Sequence, residues 1–173
     1  MMQRLFLSIL FLFHLSPYSF ANVLVCFTPP SKCGNFIVEQ IKEAKQSIYI
    51  QAYGFTSKKI IDALIEAKNR GVEIEIILDR SNFHKKKQNV IKLLESNQIK
   101  IHQDKVAGIA HNKVMIIDNT VVITGSFNFT DNADQRNAEN VIVLHDSSVA
   151  KQYYDNWKNR IILKSKQGDK YHN

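Results

Sequence analysis

Apolar residues in this chain fall into short blocks whose spacing switches between two periods. Residues 23–27 are a compact apolar run and read as a first strand. Ile37, Ile41 and Ala44 recur at helical spacing among Glu39, Lys42, Glu43 and Lys45, which predicts a helix over 35–45. The run SIYIQAYGF, 47–55, is β-branched and aromatic and reads as a buried strand. Ser57 stands where a cap is expected for the next helix. Ile61, Leu64 and Ile65 give that helix its core stripe, and Gly71 ends it. A third strand follows over 72–78, with 79–82 as a loop at its carboxyl end. The basic cluster from His84 to Lys87 opens a helix to about Ser96, with Val90, Leu93 and Leu94 inward. A short strand over 99–102 and a loop over 103–109 complete this half.

The next stretch, HNKVMIIDNTVVITGSFN, reads as a hairpin around which the chain is organised. Val114, Met115, Ile116 and Ile117 are apolar on both alternations, so this strand is buried on both faces. Asn119-Thr120 is the turn, and 121–124 is the returning strand, ending in Gly125-Ser126. Residues 130–138 are polar and irregular, and 139–144 form another strand. Ser147 or Ser148 caps a last helix carrying Val149, Tyr153 and Trp157 at four-residue intervals, and the tail from Lys164 is expected to fray. Strand–helix alternation followed by consecutive strands predicts an α/β fold, a layered α/β/α sandwich with a mixed sheet.

At 173 residues the chain suits one domain. Its first 21 residues stand apart: a positive start through Arg4, an apolar run from Leu5 to Leu15, and small residues at Ser19 and Ala21. This is the pattern of a secretory signal cleaved after Ala21, leaving 22–173 as the single mature domain. A membrane anchor is the alternative, but the run is shorter than the roughly 20 residues that span a bilayer. The expectation is an exported protein, periplasmic or secreted. Removing Arg4 takes the formal charge from +7 to +6, a bias toward polyanions or anionic surfaces. Cys26 and Cys33 are the only cysteines, and an oxidising compartment favours a disulfide over a zinc site. Closing so short a loop contributes about 2.5 kcal/mol in the chain-entropy model.

The hairpin carries the chemistry. On a strand, His111 and Lys113 project from one face. A lysine entering a doubly buried strand is costly unless it meets an anion. The full spacing is H-x-K-x(4)-D-x(6)-G-S-x-N, through His111, Lys113, Asp118, Gly125, Ser126 and Asn128. It resembles the signature of the phospholipase D superfamily. The chain around it, about 23–157, is similar to the small single-signature bacterial endonucleases of that superfamily, and to short secreted bacterial proteins labelled phospholipase D. A second H-x-K, at His84 and Lys86, has no aspartate at the right distance, since Ile91 stands there, and it reads as a solvated basic helix start.

The resemblance implies phosphodiester cleavage through a covalent phosphohistidine on His111, with Lys113, Ser126 and Asn128 binding the phosphate. Glu139 takes the place where the small nucleases hold the histidine ring with a glutamate. Asp118 belongs to the catalytic signature but is expected to sit off the reacting atoms, in a charge-balancing role. One signature supplies one histidine, so the resemblance implies a homodimer with two copies of His111 meeting at a two-fold interface. No cofactor and no metal are expected, because His102, His111 and His145 lack metal-ligand spacing and Lys113 repels a cation. The substrate expectation is nucleic acid, cut without sequence specificity. The alternative is a phosphatidylcholine-type phospholipid, and an inactive polyanion-binding module ranks last.

Overall fold

The computed structural model describes residues 22–85 and 88–168, with side chains to residue 161. The expected signal segment, and Lys86 and Lys87 of the basic cluster, lie outside them. Seven strands form one mixed sheet: β1 (Asn22–Thr28), β2 (Ser47–Ala52), β3 (Glu73–Leu78), β4 (Lys100–Gln103), β5 (Lys113–Ile117), β6 (Val121–Gly125) and β7 (Glu139–His145). Their order is β1-β7-β6-β5-β2-β3-β4. The β2–β3 and β3–β4 pairs are parallel and the rest antiparallel. The helices are α1 (Cys33–Glu43), α2 (Lys58–Asn69), α3 (Gln88–Ser96), α4 (Asp131–Gln135) and α5 (Ser147–Gly168).

Strand alternation distributes side chains between two cores. Met115 and Ile117 join Ile48, Ile50, Ile37, Ile41 and Leu64 on the side of α1 and α2. Val114 and Ile116 join Tyr49, Ile77, Ala150 and Trp157 on the side of α5. All five residues of β5 are buried, so a slip of one residue would exchange its two faces. Trp157 fastens α5 to the sheet: its indole N–H donates to the Ile50 carbonyl at 3.0 Å, and its ring lies 4.7 Å from Tyr49. Edge strand β1 turns Cys26 and Thr28 inward and leaves Val23, Val25 and Phe27 exposed. Cys26 and Cys33 are joined in a disulfide that ties β1 to the first residue of α1.

Several local features differ from the sequence expectation. The hairpin turn is centred on Asp118 and Asn119, each at φ 53°, one residue earlier than predicted. Asp and Asn tolerate the left-handed region that a tight hairpin demands, whereas β-branched Thr120 does not. Ser57 occupies the cap position of α2 without a capping side-chain bond. The cap of α5 is Asp146, which accepts from the Ser148 and Val149 amides at 2.8 and 3.1 Å. In α3 it is Ile91 and Leu94 that are buried, while Leu93 is exposed. The predicted fraying tail is helical through Gly168.

The polar stretch after the hairpin contains α4. Thr130 caps it by accepting from the Ala133 amide at 3.2 Å, and the helix delivers Asp134 into the body of the protein. One Asp134 oxygen accepts from the Gly34 amide in the first turn of α1, the other from Lys59 of α2, both at 2.8 Å. A carboxylate from a distant element therefore serves the α1 terminus, where Lys32 supplies no side-chain cap.

Asp118 acts in a similar way at the opposite end of the hairpin. It accepts from the backbone amides of Lys45, Gln46 and Ser47 at 2.9, 2.7 and 2.9 Å, fixing the entry to β2. Asp118→Ala leaves those three donors without their acceptor and is expected to lower stability by about 2 kcal/mol, a fall in Tm of roughly 5 °C. Activity per folded molecule should persist. Thermal melts paired with turnover measurements check this, and a lost kcat at unchanged Tm would return Asp118 to the chemistry.

Candidate active site

Antiparallel pairing gathers four chain segments at one end of the sheet. Ala52, at the end of β2, lies across from Lys113 at the start of β5, and Gly125 at the end of β6 pairs with Val141 near the start of β7. His111, Lys113, Ser126, Asn128 and Glu139 are all carried by these ends. Asp118 is not: it lies just past the far end of β5, five residues on from Lys113 and roughly 16 Å away at strand rise. Its place in the signature is structural, with three amides rather than a cation balancing its charge.

His111 precedes β5 rather than lying in it, and its side chain is exposed. The neighbouring Asn112 carbonyl accepts from the Tyr53 amide at 2.9 Å, so pairing to the β2 segment continues beyond the formal strand. The Tyr53 ring lies 4.6 Å from the imidazole, inclined at 57°. Lys113 is only 8% exposed. Its ammonium donates to the His111 carbonyl at 2.8 Å and stands 5.4 Å from the centre of the Tyr53 ring. Burial pushes its pKa below the ordinary lysine value, and the Glu139 charge pulls it partly back. The lysine is thus held short of solvent beside an exposed imidazole, where an anion would relieve its desolvation.

Glu139 does not hold the histidine ring as expected. Its two oxygens accept from Ser126 Oγ at 2.5 Å and Asn137 Nδ2 at 2.8 Å. The reason is register: β7 begins beside the Gly125-Ser126 turn, so the serine hydroxyl is the near partner. Ser126 Oγ also accepts from the Asn140 amide at 3.1 Å. Its proton is committed to a carboxylate, so it meets a phosphate oxygen only by leaving Glu139. Gly125, at φ 148°, has no room for a side chain, since an added Cβ would come within 2.2 Å of the Asn140 carbonyl oxygen. Asn128 is half-buried against Gly54, and its Oδ1 has no hydrogen-bond donor among the described residues. Such an unpaired acceptor oxygen is costly in a core and suits a site that receives a ligand with a hydrogen-bond donor.

A supporting layer went unread in the sequence. Asp79 and Asn82 follow β3, where only a loop was expected. Asp79 accepts from the Ala110 and Ser81 amides, each at 2.9 Å, and so fixes the backbone just before His111. Burial raises the Asp79 pKa, but those amides and Arg80 outweigh it and hold the carboxyl below its usual range. Asn82 donates to the Tyr53 carbonyl at 2.7 Å. The available signal was positional, since residues outside the carboxyl ends of strands often build sites in α/β sheets. His102 lies elsewhere, 3.1 Å from Glu75, and His145 is at the far end of β7. Among the described residues no cluster of three His, Cys, Asp or Glu side chains could hold a metal ion.

An anion is attracted to Lys113 only in its charged form, so anion binding and any turnover that depends on it should fall as pH rises through that depressed lysine pKa. Lys113→Arg keeps the charge at all working pH and should move the alkaline limb up by about a unit or more, at reduced kcat. A pH–rate profile of both proteins tests this, and an unmoved limb would assign it to another group.

Residues 37–161 match the family described as "Cardiolipin synthase, PLD-like domain". A protein named "Phospholipase D" from Rickettsia prowazekii is 54% identical over 150 residues, 86% of this chain and 72% of that one. A "Mitochondrial cardiolipin hydrolase" from Chlamydomonas reinhardtii is 32% identical over 120 residues, 69% of this chain and 53% of that one. Among solved structures, the phospholipase D family member Nuc from Salmonella typhimurium aligns with a TM-score of 0.77 at 34% identity, covering 81% of this chain and 93% of that one. NucT from Helicobacter pylori aligns at 0.75 and 26% identity, covering 82% and 96%. With His111, Lys113, Ser126 and Asn128 gathered at one end of this sheet, the chain belongs to the phospholipase D superfamily of phosphodiesterases.

Proposed function

We propose that the chain is an exported phosphodiesterase that cleaves nucleic acid without sequence specificity, through a covalent phosphohistidine on His111 of a homodimer. The observation that carries the chemistry is an exposed imidazole beside a desolvated ammonium on one strand end. A His111 nitrogen attacks phosphorus, and the bond to the leaving alkoxide breaks. The alkoxide takes a proton from the imidazolium of His111 on a second copy. Water then attacks the phosphohistidine and gives its proton to that second imidazole, and the phosphorus–nitrogen bond breaks. Lys113 and the Asn128 amide stabilise the charge that grows on the nonbridging oxygens. The basic balance of the chain and the openness of His111 favour a polyanion that reaches the site from solvent.

Phospholipid is the second reading. It is favoured by the names of the relatives and by the exposed apolar strip of β1, whose Phe27 pairs with Asn140 at the active-site end of the sheet. Purified protein in EDTA, offered plasmid DNA, RNA and phosphatidylcholine vesicles side by side, separates the two. Cleavage confined to the vesicles would overturn the nuclease reading.

The dimer is tested by subunit exchange. In a one-to-one mixture of wild type with His111→Ala, random pairing leaves roughly a quarter of the all-wild-type activity rather than half. His84, exposed two residues beyond Asn82, is the control: linear loss on mixing, with His84→Ala inactive, would show that one chain supplies both groups.

Export predicts a mature protein that begins at Asn22 and contains no free thiol. N-terminal sequencing and a thiol count of the cell-derived protein check both, and two titratable thiols would refute the bridge in that compartment.

A further inference from the structure

A cavity of about 240 Å³ opens beside the active site on the α5 face of the sheet. It is lined by Gln51 of β2, by Asn112, and by Gln152, Tyr153 and Asn156 of α5. Asn112 is the immediate chain neighbour of His111, and its carbonyl accepts from the amide of Tyr53, whose ring lies 4.6 Å from the imidazole, so the cavity is linked to the site through one residue pair while remaining distinct from the groups described there. Four of the five lining side chains are carboxamides and the fifth is a phenol. None is charged, so neither a second phosphate nor a cationic headgroup finds a counter-ion there.

We infer that this cavity is a subsite for one nucleobase of the substrate strand. Carboxamides carry donor and acceptor side by side, which is the complement of a base edge. Tyr153 adds an aromatic surface for a planar ring. Gln51 is only 5% exposed, and its amide donates to Asn156 Oδ1 over a long 3.4 Å, a contact that a base edge replaces with better geometry. The inference rests on the nucleic-acid reading and replaces its lack of sequence specificity with a modest preference for one base next to the scissile bond.

Gln152 and Asn156 are exposed and one turn apart on α5, and alanine is well tolerated in a helix, so the Gln152→Ala/Asn156→Ala double variant should fold. Two substrates distinguish the outcomes: bis(p-nitrophenyl) phosphate, which has no base, and short oligonucleotides of single base composition. The variant should hydrolyse the base-free ester within about twofold of wild type, while KM for the preferred oligonucleotide rises roughly tenfold and differences between compositions shrink. Free nucleosides should inhibit hydrolysis of the base-free ester by the wild type and not by the variant, and glycerol and choline should inhibit neither. Unchanged oligonucleotide kinetics would overturn the subsite and leave the nuclease reading intact. Equal losses on both substrates would make the cavity part of the general machinery. Inhibition by glycerol would point to a lipid headgroup site, and a dimer weakened in light scattering would make this face a contact between copies. Wild type that cleaves vesicles and the base-free ester but no oligonucleotide would overturn both readings.

Discussion

A strand covered on both faces cannot slide, and β5 is such a strand. Its side chains alternate into two cores, so a shift by one residue would put Lys113 where Val114 packs and undo both at once. Everything at the active end inherits that rigidity. Lys113 is the first residue of the strand and the only charged one, held at the boundary where apolar cover gives out. Neighbouring strands are registered against β5, so the Ser126 turn and Glu139 are placed by the same constraint. The ammonium is costly where it sits, and the core on either side secures its position.

The sheet, its mixed character and most of the helices were legible because their signals are local. Four successive apolar residues announced β5, and stripes at helical spacing announced α1 and α2. The α4 helix gave no such signal, since its five residues include a single apolar one, Ala133. It exists because Asp134 finds Gly34 and Lys59, residues far away in sequence. Capping of α5 was misplaced by one or two residues because Asp, Ser and Ser in succession are equally good caps until the backbone chooses among them.

The candidate site divides in the same way. His111, Lys113, Ser126 and Asn128 could be named because their spacing is fixed within one hairpin. Partners could not: the signature contains Asp118, and the resemblance points to Glu139, but neither says what each carboxylate touches. One satisfies three amides at the remote end of the hairpin, and the other receives a serine and an asparagine. Asp79 and Asn82 reach His111 and Tyr53 only through folded backbone, so a one-dimensional pattern contains no trace of their role.

The strand order has a consequence for how the molecule forms. The first strand of the described chain pairs only with the last: Asn22 lies across from His145 and Thr28 from Glu139, more than a hundred residues apart. A ribosome emits β1 long before β7 exists, so β1 must wait unpaired until nearly all of the chain is made. Contacts this distant close late and carry a large loop entropy. During that delay the sheet lacks its β1 edge, whatever the other strands have already formed. The pairing of first strand with last then adds the final edge to the sheet, with the disulfide joining that latecomer strand to the helix behind it.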